Sequence, residues 1–220
     1  MSHFKLFVVG ADVESLLDPY DENDRSEFVD QTDEVTKEWG LYQQAQKAEG
    51  KPSEYDSMAS FAGDYFGYEE QDGKFGYYAN PQAKWDWWEV GGRYSDYLIN
   101  KHGAEGNSFQ VKDIDFEAMQ ARNVVSAGES WEAAQKENEA FRNFIYGITP
   151  GMTKEQYIAS RTNVSAFAFL MGDKWVERGE MGWFGIVTDE KESTDWETQM
   201  TAFIKALDPE ETLSVVDCHI

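Results

Sequence analysis

The sequence predicts an α+β fold: a mainly antiparallel sheet with helices on one face. Three observations lead there. Strand-like runs stand near both ends of the chain, helical patterns lie between them, and the last third reads strand, strand, helix, strand. A ferredoxin-like core with a helical acidic insertion is the specific expectation. The composition permits it, because 220 residues at 41% hydrophobic and 15% aromatic content supply enough apolar surface for one sizeable core. We therefore expect a single domain over residues 1–220, carrying an acidic helical insertion at about 20–70 and a second helical insertion at about 112–162.

HFKLFVVG, from His3 to Gly10, is apolar, β-branched and closed by glycine, which marks a buried strand. ADVESLLDPYDEN reads as a short helical turn broken at Pro19, and TDEVTKEWGLYQQAQKAEG as a longer helix. A further helix is expected over SEYDSMASFAGDYFG, where Tyr55, Met58, Ala59 and Ala62 fall at helical spacing. KFGYYAN and KWDWWEV are short aromatic runs separated by the turn signal Asn80-Pro81, suggesting a hairpin or two sheet strands. Gly103 to Ser108 reads as a loop. Trp131, Ala134, Asn138, Phe141 and Ile145 form one stripe, which predicts a helix from Glu129 to Gly147 with the glycine as its stop. Thr153 is placed to cap TKEQYIASR. VSAFAFLMG and GWFGIVTD are strand-like, with DKWVERGEM as the connection or an extra strand between them. Thr194 and Glu197 have capping-box spacing before WETQMTAFIKAL, and ETLSVVDCHI ends the chain as a strand.

Charge removes several classes of function. With 42 acidic against 19 basic side chains and a net charge of -23, direct binding to nucleic acid or to an anionic membrane is disfavoured, since phosphates would be repelled. A basic protein is the macromolecular partner such a surface favours. From Asp12 to Glu38 there are eleven acids against two bases, which the bland reading makes a solvated face. The single cysteine, Cys218, excludes an internal disulfide and fits a reducing cytoplasm. No signal peptide is expected from the short apolar opening and no membrane span from the rest; no metal centre is expected either, DPYDEND being rich in oxygen ligands for an acid-only magnesium or calcium site but lacking the spacing of an EF-hand loop. No cofactor motif occurs either: the chain has neither a phosphate-loop nor a dinucleotide-binding glycine pattern.

KWDWWEVGGRY concentrates the residues that chemistry could use. If extended, it places Trp85 and Trp87 on one face and Asp86 and Trp88 on the other. Indole rings stack on flat ligands, Gly91-Gly92 allows close backbone approach and exposes amide donors, and Arg93 offers a planar fork for phosphate or carboxylate. Lys84, Trp85, Asp86, Trp87, Gly91, Gly92, Arg93 and Tyr94 are thus the candidate binding residues, with ordinary core packing as the competing reading. The candidate acid/base pair is Asp217 with His219, which share a strand face, while Cys218 faces the other way and is expected to be buried.

NPQAKWDWWEVGGRYSDYL, together with ERGEMGWFGIVTDEK and VVDCHI, resembles a family of uncharacterised proteins encoded by bacteriophages, prophages and some bacteria. Their shared feature is Asn-Pro-x-Ala-Lys-Trp-Asp-Trp-x-x-x-Gly-Gly-Arg followed by an aromatic residue. LFVVGADVESLLDPYDEN is similar to the family's opening. Trp88 stands where tyrosine is more usual and Tyr94 where tryptophan is, and both keep an aromatic surface. The resemblance implies a phage-type origin and a common fold, and it assigns no reaction. The resulting expectation is an accessory protein of the host-cell cytoplasm that binds a small anionic, nucleotide-like ligand or a host protein, with counter-defence as a role. Two alternatives stand beside it: an acidic mimic of nucleic acid that inhibits a host nuclease or defence complex, and a phosphodiester or glycosidic hydrolase.

Overall fold

A computed structural model describes residues 2–182 and 186–220. Its main strands, in chain order, are β1 (His3–Val9), β2 (Glu27–Asp30), β3 (Glu69–Gln71), β4 (Lys74–Ala79), β5 (Trp87–Val90), β6 (Ser108–Gln110), β7 (Ala168–Met171), β8 (Lys174–Glu177) and β9 (Thr212–His219). Its longer helices are α1 (Thr32–Glu49), α2 (Phe116–Ala134), α3 (Lys154–Ala159) and α4 (Ser193–Ala206). They divide into two compact units, one formed by the residues up to Asp18 with Trp87–Ile220 and the other by Pro19–Asp86. The acidic insertion expected near 20–70 falls within the second unit, which has its own sheet and core.

In the first unit, six strands form a mixed sheet of order β8-β7-β1-β9-β5, with β6 also paired to β9. β1 and β7 run parallel, whereas β9 lies antiparallel to β1, β5 and β6. The sheet is therefore mixed and not purely antiparallel. A ferredoxin-like core splits its parallel pair with an intervening strand. Here β1 and β7 hydrogen-bond directly and the hairpin partner β8 takes the edge, so the pairing differs from that expectation.

One sheet face carries Phe7, Val9, Leu213, Val215 and Phe169, and on it pack Trp196, Met200 and Phe203 of α4 with Met119 of α2. Phe203 stacks on Phe169 at 4.1 Å and on Phe7 at 6.4 Å. Each such side chain removed from water contributes about 1.5–3 kcal/mol, which is why this layer defines the core. Leu6, Val8, Val216 and Cys218 on the opposite face are equally buried. Two-sided burial explains the unbroken apolar runs in LFVV and LSVV.

In the second unit, β2, β4 and β3 form an antiparallel sheet. Val35, Trp39 and Tyr42, at helical spacing along α1, meet Phe61, Ala62 and Phe75. KFGYYAN forms β4, but KWDWWEV contributes β5 to a different sheet, so the two runs are not a hairpin. The helix expected from Glu129 to Gly147 is also redrawn. α2 begins at Phe116 and stops at Ala134; Asn138 then caps a fresh turn, and a π-helical segment, Arg142–Tyr146, ends at Gly147. α4 starts at Ser193, one residue before the expected Thr194 cap. Part of GWFGIVTD falls on residues 183–185, outside the described residues, while Val187–Thr188 pairs with Glu180–Met181. Among the described residues no helix is long and apolar enough to cross a membrane.

Candidate functional site

The unit boundary falls inside the aromatic motif, between Asp86 and Trp87. On its first side, the backbone N–H groups of Lys84 and Trp85 donate to the Tyr20 carbonyl, and the Trp85 carbonyl accepts from Glu22 at 2.8 Å. Asn80 Nδ2 donates to the carbonyls of Pro19 and Asp21, and Asn23 Nδ2 to that of Asp86. With Trp85 only 8% exposed, this half of the motif fastens the entry and exit of the inserted unit to each other. Trp85 lies before the strand, so the expected alternation of faces starts only at Trp87.

Beyond the boundary, Trp87 is 47% exposed and the Arg93 side chain is also exposed, with no ion-pair partner among the described residues. Gly91 and Gly92 have φ values of +81° and +50°, and each meets a side chain where a Cβ would stand: Asn107 at the first, Asp217 at the second. The Arg93 N–H donates to Asp217 Oδ2 at 3.0 Å. The anion that the glycine pair cradles is thus the chain's own carboxylate.

Asp217 is buried, and its other oxygen accepts from His3 Nδ1 at 2.9 Å. Because an ionised carboxylate only accepts, this bond places the hydrogen on Nδ1. The imidazole bonded to Asp217 is that of His3, the cross-strand neighbour of the expected His219, which stands edge-on to His3 at 4.9 Å, with Trp87 edge-on at 6.3 Å. Strand register produces this. β1 and β9 pair His3 with His219 and Lys5 with Asp217, while β9 and β5 pair His219 with Trp87, so all five side chains share one face. Cys218 points to the other face and is buried, which with the nearby Asp217 charge pushes its thiol pKa well up and makes it inert.

Lys5 is the residue that sequence reading passed over. It lies beside the core on the face that carries Phe7, half-buried, with Nζ 3.5 Å from the centre of the Tyr97 ring. Desolvation by burial, and secondarily the Arg122 guanidinium, lower its pKa to about 7. Among the described residues no carboxylate lies within ion-pair distance of it. The signal was present in the sequence: alternation through HFKLFVV puts the lysine in phase with Phe7 and Val9, on the core-facing side.

Lys5 lines a cavity of about 700 Å³ with Arg161, Arg178, Glu197, Tyr97 and Trp196, among others. Arg178 arrives from the end of β8 and donates to Ser193 Oγ at 3.3 Å while pairing with Glu190 at 2.8 Å. Arg161, just after α3, lies over the Tyr157 ring and donates to the Tyr146 carbonyl. Ser193 opens α4, whose Glu192 cap makes no side-chain hydrogen bond, so the helix begins at the cavity rim with N–H groups uncapped by that side chain. A smaller hollow of about 310 Å³ shares Lys5, Ser165 and Arg178 and adds His3 and Tyr94. Tyr94, a member of the expected binding set, thereby lines a cavity with Lys5. A larger hollow of about 880 Å³ lies in the Pro19–Asp86 unit, along the stacked Phe66, Tyr68 and Tyr77 rings, and is also lined by Arg25, Glu22 and Glu69. It gathers fewer cations and no buried titratable group, so chemistry favours the Lys5 cavity.

Among the described residues no cluster of His, Cys, Asp or Glu has the arrangement to hold a metal ion. No protein-family model, curated protein or solved structure matches the chain.

Proposed function

We propose that this is a phage-type accessory protein of the host-cell cytoplasm that binds a small anionic, nucleotide-like ligand in the Lys5–Arg161–Arg178 cavity. The phage assignment is supported by the likeness of the aromatic motif described above. One observation carries the binding reading. In a molecule of net charge -23, two arginines and a lysine line a single cavity with one acid. Its volume falls in the range of small-molecule sites, roughly 300–1,000 Å³. Arg161 and Arg178 supply planar donor forks, Ser193 and Asn163 supply neutral donors, and Tyr97, Trp196 and Met152 form an apolar wall for a ring.

Calorimetric titration at pH 7 with inorganic pyrophosphate and with ADP tests this reading. Arg161→Ala and Arg178→Ala each weaken binding at least roughly tenfold, the loss expected for a charge-assisted hydrogen bond, while Arg93→Ala changes it less than about twofold. Absence of binding, or loss confined to the Arg93 variant, rejects the cavity.

A further inference from the structure

Anion binding explains the arginines but not the lysine. A lysine meant only to hold a phosphate is best kept fully protonated at a wet surface, whereas Lys5 is desolvated on a central strand, where burial outweighs the Phe7, Tyr94 and Tyr97 ring faces within about 6 Å of Nζ that themselves favour the ammonium. The guanidinium of Arg122 lies over the same Tyr97 ring at 5.4 Å, donates to the Tyr97 and Asp96 carbonyls and pairs with Glu105 at 3.2 Å, which partly offsets its charge. That places a fixed positive charge near the amine and no carboxylate within ion-pair distance among the described residues. Such surroundings lower the Lys5 pKa to about 7, so the amine is neutral to a far greater extent at pH 7 than an ordinary lysine, which is neutral to roughly 0.1% or less. A neutral amine is a nucleophile.

The second observation is proton-handling machinery in the smaller hollow, which shares Lys5, Ser165 and Arg178 with the anion cavity. His3 and Lys5 both line the smaller cavity, and His3 is fixed through Nδ1 by a carboxylate that is itself buried and anchored by the Arg93 N–H. Resting on the anion-binding reading, we propose that Lys5 is a catalytic amine that condenses with the carbonyl group of a small anionic aldehyde or ketone held by Arg161 and Arg178, with His3 relaying the protons. The Nζ lone pair forms a bond to the carbonyl carbon as the C=O π pair moves to oxygen. Transfer of one amine proton to that oxygen gives the carbinolamine. The second amine proton follows, the C–O bond breaks, and the oxygen leaves as water, so that an imine remains. Both protons of the water come from the amine, and nothing is oxidised or reduced. The imidazole accepts and returns each proton through Nε2, the nitrogen that Asp217 leaves without the Nδ1 hydrogen.

The test uses the intact protein with pyridoxal 5′-phosphate as an anionic aldehyde and pyridoxal as its counterpart without the phosphate. After brief incubation at pH 7, borohydride reduction traps any imine, and peptide mass spectrometry locates it. The Lys5 peptide gains the phosphopyridoxyl adduct at least about tenfold faster than the exposed lysines Lys37 and Lys51, and Arg178→Ala removes that advantage for pyridoxal phosphate. Labelling of Lys5 no faster than Lys37 overturns the proposal. If pyridoxal phosphate binds but leaves Lys5 unmodified, the anion site stands and the imine fails. If pyridoxal labels Lys5 as fast as its phosphate does, the anionic class of substrate is wrong and the proposal falls with the binding reading.

Discussion

At Gly92, φ is +50° and an added Cβ would lie 2.6 Å from both Cβ and Oδ2 of Asp217. Two penalties therefore act together on a side chain there, backbone strain and a collision with a buried carboxylate that has no room to retreat. Moving Asp217 also breaks its bonds to the Arg93 N–H and to His3. Gly92→Ala should cost about 2 kcal/mol or more, read as a fall in the urea midpoint at constant slope. A loss below about 0.5 kcal/mol would mean that the cradle is loose and that His3 is not held as described. The glycine pair was legible in the sequence as a place of close approach, whereas the Arg93 guanidinium expected to meet an anion stays exposed and the backbone N–H makes the bond. What approaches was not legible, because Asp217 lies 124 residues away along the chain and only strand register brings it there.

Among the elements, those with strong local signals match the sequence reading and those needing long-range information do not. β1 and β9 were readable because burial on both faces leaves an apolar run that few other structures tolerate. α3 was readable from its cap: Thr153 Oγ1 accepts the Gln156 N–H while Gln156 Oε1 accepts the Thr153 N–H. Thr153→Ala should lower stability by about 1 kcal/mol by thermal or urea unfolding; an unchanged midpoint would show that α3 is held by Tyr157 packing alone. The stripe from Trp131 to Ile145 misled, because its periodicity runs through a break. Trp131 and Ala134 reach a core with Tyr157 and Ile148, whereas Phe141 and Ile145 beyond the break are 42% and 54% exposed. Helical spacing reports a common face only while the backbone stays helical. The candidate site is split in the same way: its aromatic motif was visible as a segment, while the cavity is assembled from β1, the end of β8, α4 and the residues after α3, which no local pattern connects.

At the scale of the whole molecule, the field of 42 acids against 19 bases favours every protonated lysine. Lys5 nevertheless has its pKa lowered to about 7, so local desolvation outweighs the global charge. Arg122 reinforces that effect, and the groups facing the cavities, namely His3, Tyr94, Tyr97, Arg161, Arg178 and Glu197, set what a ligand would meet. Between about pH 7 and the ordinary lysine range the unfolded chain holds a proton that the folded chain has released. Lys5 therefore makes stability rise with pH across that window, and its full penalty is present below it. Binding of an anion in the cavity favours the protonated amine and moves its titration upward. The direct measurement is the pH titration of the Lys5 13Cε resonance in lysine-labelled protein, without and with pyrophosphate, assigned by comparison with Lys5→Arg. The expected midpoint is near 7 in the free protein and higher with pyrophosphate. A midpoint in the ordinary lysine range, or one near 7 that pyrophosphate leaves unmoved, would contradict a desolvated amine placed to meet an anion.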